Sequence, residues 1–241
     1  MKPETAKPAT TRRDFILRGA EAAAATAALT TFAAHSSAAE KQEPIRLGLI
    51  GCGGQMGGHV HVIVKKSLNA SIAWLCDVDT GRRARYAERF ADFQQAPPQQ
   101  TAYYEDVVKD KTVDAVIIAT PHHWHVPIAL AALAEGKDVY VEKPMSHVFD
   151  EGKQLVAAAE KYGRVVQHGT QMRSSLVTVQ AAQLLAEGII GEVKVARAWT
   201  AELREEVAPL ADGPTPAGVD YDRWLGPAPQ HAFNPHRFHL T

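Results

Sequence analysis

Cysteine is nearly absent, with two residues in 241, too few for a disulfide framework. Cys52 and Cys76 each fall in a strand-and-turn segment and read as small buried hydrophobes. Neither sign of charge dominates, with 26 Lys and Arg against 27 Asp and Glu, so the chain carries no basic footprint for nucleic acid. No apolar run approaches the roughly 20 residues that a bilayer-spanning helix requires. There are no internal repeats, and one segment alone is compositionally biased, an alanine-rich stretch near the start. What remains is the balance of an ordinary globular protein, 46% apolar and 22% charged. The length suits one large domain, or one domain and part of another.

Residues 1–39 read as a segment apart from the fold. Thr11-Arg12-Arg13-Asp14-Phe15-Ile16-Leu17 resembles the twin-arginine export signal, and a weakly apolar stretch over 20–34 follows it. Ser37-Ala38-Ala39 then supplies a small-residue cleavage site. The alternative is an amphipathic helix that happens to carry two arginines, which Glu21 inside the apolar stretch favours. The succession of basic, apolar and small segments favours export through the twin-arginine (Tat) machinery, with a periplasmic destination.

From Ile45 onward short apolar strands alternate with amphipathic helices. Ile45-Arg46-Leu47-Gly48-Leu49-Ile50 is a strand run ending in glycines, and Ser71-Ile72-Ala73-Trp74-Leu75-Cys76-Asp77 is the next. Residues 94–101, with Pro97 and Pro98, read as a loop into a short strand. Residues 113–119, 138–142 and 164–167 complete the series. Helices between them stop on Gly136 and Gly163, and Val148, Leu155, Val156, Ala159 and Tyr162 recur at helical spacing. Strand and helix in strict succession predict crossover units and a parallel sheet. The expected fold is α/β: a doubly wound Rossmann sheet over 44–170, then the start of an incomplete α+β domain, with an antiparallel sheet, over 171–241.

The first strand opens into Gly51-Cys52-Gly53-Gly54-Gln55-Met56-Gly57-Gly58-His59. A dinucleotide-binding fold needs glycines here, for a tight turn and for close approach of backbone to pyrophosphate at a helix N-terminus. Gly51, Gly53, Gly54, Gln55 and Met56 are therefore candidate cofactor residues. Met56 occupies the third fingerprint position, where glycine or alanine is usual, and a turn shifted onto Gly57 and Gly58 would absorb it. Asp77 ends the next strand, where a carboxylate accepts from the ribose hydroxyls and repels a 2′-phosphate, which favours NAD. Arg82 and Arg83 nearby keep NADP as the alternative, and a helix cap before Thr80 is the bland reading of Asp77.

Ala119-Thr120-Pro121-His122-His123-Trp124-His125, followed by Glu142-Lys143-Pro144, resembles the glucose-fructose oxidoreductase, inositol dehydrogenase and rhizopine-catabolism (Gfo/Idh/MocA) family. His168-Gly169-Thr170-Gln171-Met172-Arg173-Ser174, Ile190-Gly191-Glu192-Val193 and Trp224-Leu225-Gly226-Pro227-Ala228-Pro229 resemble its exported branch, and the likeness runs over 45–240. The resemblance implies that Lys143 contacts the hydroxyl being oxidised and takes part in its proton transfer. It implies that Glu142 orients the nicotinamide ribose, and that Pro144 fixes the turn after a cis bond. Thr120, Trp124 and His125 would lie at the cofactor. Gln171 and Arg173 would face the substrate, or else polarise a loop.

Three imidazoles at His122, His123 and His125 invite a zinc hypothesis, but side chains this close in sequence usually diverge and no Cys or carboxylate flanks them at ligand spacing. No metal is expected. Residues 193–199 alternate as a strand with one largely apolar face, which needs a sheet to pair with. The family continues from here into an antiparallel sheet carrying an Asp-x-Gly-x-His segment, and nothing in this sequence matches it; His236 and His239 belong to a preceding segment. The expectation is thus a C-terminally truncated chain, weakly active or inactive, whose exposed strand could pair with a second copy. Three functions stay open: an NAD-dependent oxidoreductase on a sugar or cyclitol hydroxyl, an NAD-dependent glycosidase, and a non-catalytic nucleotide-binding remnant.

Overall fold

The computed structural model describes residues 43–65, 68–201 and 209–238. The proposed export segment lies outside them. Six strands form one sheet: β1 (Ile45–Ile50), β2 (Ala70–Cys76), β3 (Gln99–Thr101), β4 (Ala115–Ile118), β5 (Asp138–Glu142) and β6 (Val166–Gly169). All pairings are parallel, in the order β3-β2-β1-β4-β5-β6. The connections wind outward in opposite directions from β1 and β4, so a crevice opens at their carboxyl ends, the place where such sheets bind ligands.

A parallel sheet must be covered on both faces, and successive residues of β1 serve the two sides. Leu49 packs with Met56, Ile72 and Phe90, under α1 (Gly54–Lys65) and α2 (Thr80–Ala91). Ile50 packs with Val116, Leu133 and Val141 on the other side, under α3 (Tyr104–Lys109), α4 (His125–Ala134) and α5 (Phe149–Tyr162). Asp79 caps α2, its carboxylate accepting from the backbone N–H of Gly81 and Arg82, so the cap is Asp79 and not Asp77. Both cysteines are buried free thiols.

Two expected patterns come out differently. In α5 only Leu155 and Ala158 are buried, while Val148, Val156 and Tyr162 are exposed, so the helix turns a narrower stripe to the sheet than its spacing suggests. Residues 192–200 form no strand, with Val195 70% and Trp199 83% exposed. A strand's N–H and C=O groups need a neighbour, and among the described residues the six-stranded sheet ends at β6 and no strand pairs with this segment. The preceding helix α6 (Leu176–Ala186) likewise buries no residue.

The chain then returns to the sheet. Asp79 and Val219 form an isolated antiparallel bridge, and Asp220 N–H donates to the Val78 carbonyl at 3.0 Å. Around α7 (Tyr221–Leu225), Tyr221, Leu225, Phe233 and Phe238 make a small aromatic-rich core of their own.

Candidate dinucleotide site and catalytic lysine

A cleft of about 540 Å³ lies over the strand ends. Its floor is the turn after β1. Gly51 has φ 89, and a Cβ there would stand 2.6 Å from the Ala119 carbonyl oxygen, so only glycine lets the two turns pass. Gly53, Gly54 and Gln55 line the cleft at the start of α1, where unpaired backbone N–H groups favour an anion. Met56 does not. Its side chain is 0% exposed among Leu49, Val60 and Phe90, which corrects both its assignment to the cofactor and the shifted turn: α1 begins at Gly54, and the third fingerprint position points into the core.

Asp77 also lines the cleft. One carboxylate oxygen accepts the Cys52 N–H at 2.6 Å and the other the Asp79 N–H at 2.9 Å. Burial pushes its pKa above the ordinary carboxylate value, and those two N–H groups and Arg82 pull back against it. Arg82 lines the cleft and pairs with Asp79 at 3.6 Å, whereas Arg83 turns to the Asp77 carbonyl.

After β4 the Thr120 hydroxyl is buried on the cleft wall, without a partner among the described residues. His125 is 1% exposed, with Nδ1 at 2.7 Å from the Pro144 carbonyl and Nε2 at 2.9 Å from that of Thr120. Burial lowers its pKa although both carbonyls favour the cation. It therefore braces two turns from beneath, and its expected place over the cofactor is corrected. Trp124 does line the cleft. Its indole N–H donates to the carbonyls of Arg223 and Trp224. His123 Nε2 lies 3.0 Å from the Trp224 carbonyl, so the imidazoles of His123 and His125 are committed to carbonyl oxygens. Among the described residues no three metal-ligating side chains gather.

The end of β5 is the most connected point. Glu142 is 2% exposed, and its Oε1 meets Gln55 Nε2 at 3.0 Å, His59 Nε2 at 2.8 Å and Gln171 Nε2 at 2.7 Å. Its Oε2 accepts the Lys143 N–H at 3.0 Å. Burial would raise its pKa, but the donors from Gln55, Lys143 and His59 outweigh burial and hold it below the ordinary value. So Glu142 is a buried tie between α1, the segment after β6 and the lysine, not a group open to a ribose. Gln171 is likewise spent on Glu142, while Arg173 is exposed. Lys143 follows with its side chain exposed, and the Lys143–Pro144 bond is cis. His59 escaped the sequence reading, although it sits four residues after Gln55 and so on the same helix face.

Residues 45–170 match the Gfo/Idh/MocA oxidoreductase model for the NAD-binding Rossmann fold, and 195–241 match the family's C-terminal alpha/beta domain. The chain belongs to the Gfo/Idh/MocA family. Inositol 2-dehydrogenase of Rubrobacter xylanophilus is 30% identical over 158 residues, 65% of this chain and 44% of that protein. A glycosyl hydrolase family 109 protein of Shewanella sp. (strain ANA-3) is 31% identical over 160 residues, 64% of this chain and 34% of the other. GenD2 from gentamicin A biosynthesis, solved with NAD, is 30% identical with a TM-score of 0.54, covering 62% of this chain and 41% of that one. The chain thus spans less than half the length of these Gfo/Idh/MocA relatives.

The Rossmann domain is of the family's NAD-binding type, so NAD is the group to fit. The residues fit it: a glycine cradle that a Cβ would fill, Asp77 at the end of β2, and the orphaned Thr120 hydroxyl on the wall.

Proposed function

We propose that the protein is an NAD-dependent oxidoreductase acting on a secondary hydroxyl of a sugar or cyclitol. The observation that carries this is Glu142, which with one carboxylate grips Gln55 and His59 of the glycine helix and the backbone of Lys143. Bound NAD supplies the hydride acceptor. Lys143 then hydrogen-bonds the substrate hydroxyl and takes part in removing its proton, while Glu142 holds the lysine's backbone in place. The likeness to an inositol 2-dehydrogenase supports the substrate class. The test is NADH formation against a panel of inositols and sugars, with Lys143→Met beside the parent. Equal rates for the two proteins would remove Lys143 from the chemistry.

The family 109 relatives favour a second reading, a glycosidase that uses NAD transiently and restores it each turnover. Release of free sugar from a glycoside without net NADH would select it.

Residues 1–39 support export by the twin-arginine route. That route moves folded proteins, which suits a chain that loads NAD before it leaves. N-terminal sequencing of the mature protein would give a start after Ala39, and a full-length start in the periplasmic fraction would refute the signal.

A further inference from the structure

The cleft has a wall that neither the glycine turn nor the strand ends supply. Residues 219–238 are clasped at two places. At the end of β2, Thr80 N–H and Oγ1 both donate to the Gly218 carbonyl, at 3.0 and 2.8 Å, beside the Asp79–Val219 bridge. At the end of β4, the carbonyls of Arg223 and Trp224 receive the Trp124 indole N–H. Between these points Arg223 lies over the Tyr103 ring, 4.2 Å from its centroid, and pairs with Glu105 at 3.2 Å. The fit is close. Gly226 has φ 51, and a Cβ there would stand 2.1 Å from the Trp124 ring, so the segment is shaped to that indole.

Arg223, Trp224 and Arg237 line the same cleft as Asp77, Arg82 and Gly53. In this fold the carboxylate ending β2 marks the adenosine ribose, and the diphosphate lies at the glycine turn. β1 lies between β2 and β4, while Lys143 follows the end of β5, one strand beyond β4. A segment clasped to the ends of β2 and β4 therefore spans the adenosine half and leaves the lysine side open.

We propose that residues 219–238 are a strap belonging to the dinucleotide site, closing the adenosine half of the cleft and offering Arg237 as a second cation beside Arg82 for the ligand's phosphates. The proposal rests on the NAD reading of the cleft. Arg237 suits the task, since among the described residues its exposed guanidinium is held by one backbone bond, to the Ala232 carbonyl at 2.6 Å. The strap can resist deformation because Tyr221, Leu225, Phe233 and Phe238 give it a core.

The experiment titrates NAD, ADP-ribose and nicotinamide mononucleotide into the full chain and into Arg237→Met and Gly226→Ala, each checked by circular dichroism. Both variants should bind NAD and ADP-ribose about tenfold more weakly, the loss expected of one charge-assisted contact, with nicotinamide mononucleotide unchanged. Gly226→Ala should also shift the tryptophan fluorescence as the strap lifts from Trp124. If that variant fails to fold, Arg237→Met, altered at the surface, decides alone. Parent affinity for ADP-ribose in the variants overturns the strap and leaves the NAD reading standing. A parent chain that takes no NAD overturns both.

Discussion

Asp77 holds the backbone N–H of Cys52 at 2.6 Å, so the carboxylate that ends β2 also pins the glycine turn that ends β1. If Asp77 also accepts from the adenosine ribose, ribose recognition and the shape of the glycine turn share one side chain. Asp77→Ala should weaken NAD binding by about 1.5–3 kcal/mol and erase a preference of the parent for NAD over NADP. Asp77→Asn keeps one acceptor oxygen and should recover part of the loss. A parent that binds both cofactors equally in a titration would end this assignment.

Thr120 gives a cleaner separation of binding from stability. Its buried hydroxyl has no partner among the described residues, so Thr120→Val removes an unsatisfied polar group while keeping the shape. The ligand-free protein should melt no lower than the parent, and NAD affinity should fall by about 0.5–1.5 kcal/mol. Unchanged affinity would mean that the hydroxyl never meets the cofactor.

Met56 should behave as a core residue. Met56→Ala leaves a cavity beneath Leu49 and Phe90, and about 2–5 kcal/mol of stability should go with it. Urea denaturation measures this directly. A loss below 1 kcal/mol would mean that the helix collapses into the space, and the turn would then be more plastic than it stands.

Glu142→Gln tests the tie at β5. An amide cannot accept all of the donors from Gln55, His59, Gln171 and Lys143, so at least one is left buried and unpaired. Stability should drop by about 1–3 kcal/mol. Turnover should fall further than substrate affinity, because Lys143 loses the group that fixes its backbone. Full retention of both would show that Glu142 merely fills space.

Acid should loosen the contact between β2 and the end of α3 at Asp110. Its carboxylate accepts from the Trp74 indole at 2.7 Å and from Thr112, which together hold its pKa down at about 2. A folded pKa below the unfolded one contributes stability above the ordinary carboxylate range and loses it as pH falls through the folded value. The gap in urea midpoint between the parent and Asp110→Ala should therefore narrow from roughly pH 4 downward. A gap that ignores pH would assign the contribution to packing.

The sheet was legible because a buried parallel strand announces itself as a short apolar run, and the positions of Asp77 and Lys143 were legible because each directly follows such a run. Met56 was misjudged because its position in a fingerprint says nothing of where its side chain points; the helix start at Gly54 decides that. The Glu142 gathering could not be read linearly. It exists because β5 pairs Glu142 with Gly169, which carries Gln171 to a carboxylate that Gln55 and His59 reach from α1. The strand over 193–199 failed for the opposite reason, since alternation gives a face but no partner. The return of 219–238 is a tertiary event whose motif was visible while its destination was not.

The two thiols have a further use. Cys52 sits inside the glycine turn and Cys76 at the end of β2, both buried, and desolvation pushes both pKa values up. Neither can react with an alkylating reagent until the turn opens. With only two cysteines in the chain, the rate of labelling in the native protein is a clock for the opening of the cradle, residue by residue, with no engineered probe. A ligand seated on that turn slows the clock at Cys52 first.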